Sequence, residues 1–226
     1  SNRGGRRPAV GDLTAPAGKG TTVRVDPVRH IASEGSVTVI DLAAGTVKAE
    51  LLVGLHASAL AVSPDGHYVV VANSGSDTLS VIATRTDQVV EKIWARQTPA
   101  DLFGAQPNAL AFDPSGERLY VCNGTQNAVA VVEFEPEENA SAVVGLIPVG
   151  WFPGAIQYDS RRQTLCVASM RGLGGVKPFK PGEASKLGSK DFYGLVSLVP
   201  VPGKQRLATL TRSARENMHY PRIEEA

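Results

Sequence analysis

One stretch of this chain occurs more than once, and the copies keep register. Gln106-Pro107-Asn108-Ala109-Leu110-Ala111-Phe112-Asp113-Pro114-Ser115-Gly116 lies over His56 to Gly66 at an offset of fifty residues. Leu119 to Asn123 then lies over Val69 to Asn73, and Asn127 to Val132 over Asp77 to Ile82. A further offset of forty-six aligns Phe152 to Asp159 and Thr164 to Ser169, with the third segment, Gly194 to Val199, delayed by an insertion. A shortened copy comes first, as Thr22 to Pro27, His30 to Ala32 and Ser36 to Asp41. Self-similarity at a fixed period restricts the chain to folds that stack one small unit.

Within a copy the pattern is that of strands. Leu60 and Val62 alternate with small residues, the period of two that a pleated strand requires. Ser63-Pro64-Asp65-Gly66 reads as a tight turn, because Pro fixes φ, Asp bonds its own backbone and Gly tolerates positive φ. Tyr68 to Ala72 is a second strand, Asn73 to Asp77 a second turn and Thr78 to Ile82 a third strand. Fourth strands over Thr46 to Val53, Gln88 to Ala95 and Ala142 to Val149 close the first three copies. Each copy is then a four-stranded antiparallel meander of roughly forty-five residues, the period and strand count of a propeller blade. Such a sheet buries both faces only by packing against its neighbours around an axis. The expected fold class is all-β, a β-propeller of four-stranded antiparallel blades, with a C-terminal helix.

The wording of the repeat resembles the YVTN β-propeller family, whose consensus runs close to P-x-A-L-A-V-S-P-D-G-x-x-L-Y-V-A-N-x-x-S-D-T-V-S-V-I-D. Residues 57–82 follow it nearly throughout and 106–132 follow it well. Residues 152–199 follow it loosely, with Ser160-Arg161-Arg162 in place of Pro-Asp-Gly, and 22–53 only in the later half. The resemblance implies a ring of seven blades, which takes roughly 300 residues at this period. The copies seen here are then part of a longer protein, a small closed propeller, or an arc completed by another chain. An open arc would expose the apolar faces of its end blades, so a cover for them is expected.

Composition narrows the function classes. With 226 residues, 42% of them hydrophobic, the chain can bury a sizeable core, and 23 Gly with 15 Pro suit a turn-rich protein. A net charge of +1 gives no global field for nucleic acid or a membrane surface. No apolar run approaches the ~20 residues of a spanning helix. The alternating basic and aromatic pattern of single-strand nucleic-acid binding is missing. Cys122 and Cys166, both in second strands, read as two buried small hydrophobes, with a disulfide the lesser reading.

In order, residues 1–20 read as a flexible arm and 21–201 as blades (21–53, 54–96, 106–149 and 152–200). Residues 202–226 read as an amphipathic helix and linker, with Leu207, Leu210, Ala214 and Met218 at helical spacing. The acidic run Glu133 to Asn139 is a solvated outer hairpin. The insertion after Met170 is far longer than the four-residue turn it replaces, and long loops in compact domains are usually functional. It carries Arg171, Lys177, Lys180, Lys186, Lys190 and Tyr193, a candidate docking loop that could also hold an anion. His56, Gln106 and Phe152, each starting an innermost strand, and Trp151 are candidates for the face where inter-blade links converge. Catalytic chemistry is not visible. His30, His56, His67 and His219 form no metal-binding spacing, and no Gly-x-Ser-x-Gly elbow exists. Asp65 and Asp113 have structural work in turns, and Asn73 and Asn123 at strand ends. No metal and no cofactor is expected in this chain.

A narrower resemblance rests on Gly150-Trp151-Phe152-Pro153, the Gly-Leu-Gly insertion, Tyr193 to Leu198 and a Leu-Thr-Arg helix. Together with the repeat they are similar to the N-terminal propeller of bacterial two-domain proteins that carry a phosphoesterase domain of the alkaline-phosphatase superfamily. The resemblance implies a metal-dependent hydrolase beyond Ala226 and a periplasmic or extracellular setting. The expected function is therefore a non-catalytic binding or scaffold module whose partner is that phosphoesterase domain or another chain, with a small anionic ligand as a further candidate. One alternative is a lactonase-like propeller hydrolase with an axial site, which needs acidic or His groups at the innermost strand starts. The other is a cell-surface adhesion or structural repeat protein.

Overall fold

The structure is a computed structural model, described for residues 1–28, 30–98, 100–172 and 192–218. Its strands are β1 (Thr14–Pro16), β2 (Thr22–Arg24), β3 (Gly35–Asp41), β4 (Thr46–Val53), β5 (Ala57–Val62), β6 (Tyr68–Asn73), β7 (Thr78–Ala83) and β8 (Gln88–Trp94). They continue as β9 (Pro107–Phe112), β10 (Arg118–Asn123), β11 (Ala128–Glu133), β12 (Ala142–Pro148), β13 (Trp151–Asp159), β14 (Thr164–Arg171) and β15 (Leu195–Pro200), followed by helix α1 (Lys204–Asn217). β5 to β8 and β9 to β12 form four-stranded antiparallel meanders, blades two and three. Blade four is the three-stranded sheet β13-β14-β15, and blade one is the pair β3-β4. The described residues form strands, as the repeat requires, and one C-terminal helix.

The turns behave as their residues dictate. Gly66 and Gly116 sit at φ 75° and 80°, where their N–H groups close turns onto the carbonyls of Ser63 and Asp113. Asp113 Oδ1 accepts the N–H groups of Gly116 and Arg118, and Asp65 Oδ1 accepts that of His67. Each inner strand of blades two to four carries a bulge, leaving Ser58, Asn108 and Gly154 without a cross-strand partner. Each outer strand of blades one to three carries another, at Lys48, Val90 and Val144. Paired bulges add local twist, which turns a flat meander into a blade.

Strand alternation sends successive residues to opposite junctions. Val70, Ala72, Leu79 and Val81 face Leu119, Val121, Ala130 and Val132 across the junction of blades two and three. Tyr120, Cys122, Val129 and Val131 face Leu165 and Val167 across the next. Helix α1 straps β12: Leu207 packs into the second of these cores and Ala214 into the first. Gly145 lets it approach, since a Cβ there would lie 2.5 Å from Leu207. Thr211 Oγ1 accepts the N–H of Leu146 at 2.9 Å, so the helix also caps the outer strand.

The first copy departs from its expected meander. β2 pairs with β1, and the contact between the expected first and second strands shrinks to a bridge between Val25 and Ala32. The cause lies in the sequence. His30-Ile31-Ala32-Ser33-Glu34 offers two apolar residues where Tyr68 to Ala72 offers five, too few to anchor a central strand. The free edge of β3 is instead bridged by Asn2, whose side chain donates to Ser36 Oγ and Thr38 Oγ1 at 3.1 and 2.8 Å. Arg6 and Arg24 both reach Glu34. The first twenty residues, expected as an arm without structure, thus contain β1 and a docked N-terminus.

Two further expectations hold in part. Both cysteines are free, and they lie on opposite faces. Cys122 is buried toward blade four, and burial pushes its thiol up to about 12. Cys166 alternates with Leu165 and Val167, so it lies on the far face of blade four and is only half-buried. In the acidic hairpin, Phe134 is buried and meets Tyr68 and Phe112 edge-on at 5.9 and 5.0 Å, while the surrounding glutamates stay exposed.

Candidate functional site

The starts of the innermost strands, the ends of the second strands and the inter-blade links share one face, because β5 pairs Ala57 with Asn73, β9 pairs Pro107 with Asn123 and β13 pairs Trp151 with Arg171. His56, Gln106 and Phe152 take the same position in blades two, three and four. All three hold φ between 53° and 59°, a left-handed conformation that non-glycine residues rarely adopt. The strain has a visible cause. The carbonyls of His56 and Gln106 accept the N–H groups of Ser74 and Gly124, both at 3.1 Å, which ties each link to the turn of its own blade.

The link is also tied to the preceding blade. Asp77, fully buried, accepts the N–H groups of Gly104 and Gln106, and Arg96 lies 3.7 Å from its carboxylate. Fifty residues on, Asn127 Oδ1 accepts the N–H of Phe152 at 3.0 Å. Asp77 and Asn127 themselves hold φ of 53° and 52°, which their short polar side chains tolerate. Arg96 is stacked over Trp94 and reaches toward Phe103, with Cζ 4.9 and 6.0 Å from the two rings.

These ties shape a cleft of about 500 Å³ where blades three and four meet, lined by Gly124, Thr125, Asn127, Trp151, Phe152, Met170 and Arg171. Gly124 forms part of its floor, and a Cβ there would lie 3.0 Å from the Phe152 ring. Trp151 and Met170 stand 58% and 67% exposed, unusual for side chains of that size. Arg171, opposite Trp151 in the β13–β14 register, lies with Cζ 4.5 Å over the ring of Phe192. The wall is aromatic and thioether, and among its described residues the one charged side chain is a cation.

Of the residues singled out from sequence, Trp151, Phe152 and Arg171 meet in this cleft. Gln106 lies at the neighbouring link and His56 one blade further. Burial, together with the positive charge of Arg3, holds His56 below the ordinary imidazole value. Tyr193 is exposed and takes part through its carbonyl, which accepts the N–H of Gly172. Lys177, Lys180, Lys186, Lys190 and His219 lie outside the described residues. Among the described residues no group of three His, Cys, Asp or Glu is placed to hold a metal ion. Sequence reasoning passed over Asp77, Asn127, Gly124 and Met170. For Asp77 and Asn127 the signal was available, since an Asp or Asn recurs just before the third strand at the repeat offset.

Solved structures match parts of this chain. A chain of the hydrazine synthase of Kuenenia stuttgartiensis matches at 26% identity and a TM-score of 0.51, over 62% of this chain and 37% of its own length. A functionally unknown protein from Desulfotomaculum acetoxidans matches at 17% identity and 0.47, over 66% and 45%. A proposed 6-phosphogluconolactonase from Bacteroides uniformis matches at 15% identity and 0.46, over 59% and 42%. The chain therefore spans less than half the length of each of these structures. The search of curated proteins gave no match. Residues 28–144, just over half the chain, match the family model described as "Lactonase, 7-bladed beta-propeller", and the chain belongs to that family.

Proposed function

We propose that this chain is a ligand-binding module of a propeller, and that its seat is the cleft between Trp151 and Arg171. The observation that carries the reading is the exposure of Trp151, Met170 and Arg171 around a floor fixed by Gly124, Asn127 and Phe152. Large apolar side chains left in water beside convergent polar groups mark binding surfaces. Docking of a phosphoesterase-type domain on the same module is part of this proposal and is supported by sequence resemblance alone.

The test is a ligand-detected magnetic-resonance screen of small fragments against the purified chain. Fragments that bind wild type and are lost in Trp151→Ala support the cleft. Hits that survive this change and Arg171→Gln place the seat elsewhere and end the reading.

Family membership favours a second reading, a lactonase-like hydrolase acting on the same face. Acid release from sugar-acid lactones, followed at constant pH, tests it. Turnover that falls in Arg171→Gln would support it, and a rate equal to the spontaneous one would remove it.

A further inference from the structure

We propose that the cleft at the junction of blades three and four takes a planar aromatic carboxylate, an inference that rests on the reading of this cleft as the ligand seat. Three features of the wall define the ligand. The indole of Trp151, the ring of Phe152 and the thioether of Met170 offer polarisable apolar surface, which favours a flat ring over an aliphatic one. Arg171 supplies the charge, and among the described lining residues there is no carboxylate to neutralise it. Its described contact is the face of Phe192, 4.5 Å from Cζ, which orients the guanidinium without using up its N–H donors. A guanidinium held in this way presents a planar fork, and a carboxylate is its geometric complement.

Spacing supports the same ligand. Trp151 and Arg171 are direct cross-strand partners at the end of the β13–β14 ladder. Their Cβ atoms in such a pair stand about 5 Å apart, so one small molecule can lie along the indole and place its anionic end at the guanidinium. The floor does not yield to fit other shapes. Asn127 holds the Phe152 amide, and the ring of Phe152 lies close against Gly124, where no larger residue would fit without a shift. A preorganised wall rewards a rigid ligand, which loses little freedom on binding.

The experiment is calorimetric titration of the purified chain with three probes, 2-naphthoate, its uncharged amide 2-naphthamide, and cyclohexanecarboxylate. Wild type is expected to bind 2-naphthoate at least about tenfold tighter than either of the others. Arg171→Gln should erase the preference for carboxylate over amide while keeping that for ring over aliphatic. Trp151→Ala should do the reverse. Arg171→Lys, which keeps the charge and loses the fork, should retain part of the carboxylate preference and serves if the Gln variant folds poorly by circular dichroism. Equal binding of acid and amide, an unchanged preference in Arg171→Gln, or no binding of 2-naphthoate each overturns the proposal. In those cases the fragment screen separates the two failures. Unrelated fragments that bind and are lost in Trp151→Ala leave the seat in place with another ligand, and their absence ends both readings.

Discussion

Two junctions built from one repeat have different interiors. Between blades two and three, interlocked Val, Leu and Ala side chains meet Phe134, Phe112 and Tyr68 toward the rim, where a smaller cleft of about 330 Å³ remains beside Tyr68 and Phe134. Between blades one and two the core is the smaller set Val37, Ala57, Val71 and Ile82, and the rim holds a cavity of about 490 Å³. One position explains much of this. Phe134 donates its N–H to the carbonyl of Glu117, and Thr84, fifty residues earlier, donates its own to His67 in the same way. The aromatic plug of one junction is a threonine in the other, and Thr84 lines the cavity. The blade-one side makes it worse, because no strand lies where Tyr68 lies in blade two. A repeat fixes the backbone of its junctions, while the residue at each outer position decides whether a junction is filled.

The most severe way to break the contrast is to empty the filled junction. Phe134→Ala removes a buried ring from a close-packed aromatic trio and should cost about 3–5 kcal/mol of unfolding free energy. Urea titration checks it, and a loss below about 1 kcal/mol would mean that the trio is a surface ornament. Next in size are the ties between blades. Asp77→Ala strips the Gly104 and Gln106 amides of a buried anionic acceptor and places Ala at positive φ, an expected loss of about 2–3 kcal/mol. Asn127→Ala removes one neutral acceptor and should cost about half as much. If the two losses came out equal in the same titrations, the charge on Asp77 would contribute nothing to the link.

The opposite change should sharpen the comparison. Thr84→Phe places in the first junction the residue that plugs the second, and filling the cavity should stabilise by about 0.5–2 kcal/mol. The hydroxyl of Thr84 donates to the exposed carbonyl of Gly66, so losing it costs little. A destabilised variant in thermal melts would show that the cavity is too open to hold a ring.

How far the sequence carries also differs between these regions. Blades two and three are legible because Pro64-Asp65-Gly66 and Pro114-Ser115-Gly116 punctuate strands whose β-branched runs admit one reading. Blade one is not, because the pairing of β1 with β2 and the bridge of Asn2 to Ser36 depend on a gap left by a strand that does not form. Residues 1–20 look like a flexible arm until Glu34 is placed beside Arg6. At the cleft, Trp151, Phe152 and Arg171 stand out by position in the repeat. Met170 does not, since an exposed thioether and a buried one look alike in a sequence. Asp77 hides inside a turn motif that accounts for Asp without invoking the next blade.

The smallest expected effect concerns what holds blade one in place, since its apolar junction is thin. Glu34 lies below the ordinary carboxylate value near 4.5, first because Arg6 hydrogen-bonds its charged form, with Arg24 adding to this and burial opposing it. A carboxylate depressed in the folded state stabilises it fully above the unfolded value and loses that contribution as pH falls through the lower folded value. Acid should therefore loosen the N-terminal segment before it touches the apolar junction of blades two and three. Hydrogen-exchange protection reports this residue by residue. The Ser36 amide, bonded to the Asn2 carbonyl at 3.1 Å, should lose protection below pH 4.5 while Val121, buried in the filled junction, keeps its own. In Glu34→Gln the acid step at Ser36 should vanish and its protection at neutral pH should already be low. Loss of protection at Ser36 and Val121 in parallel would instead mean that the two junctions open as one cooperative unit, and that the difference in their filling carries no difference in their stability.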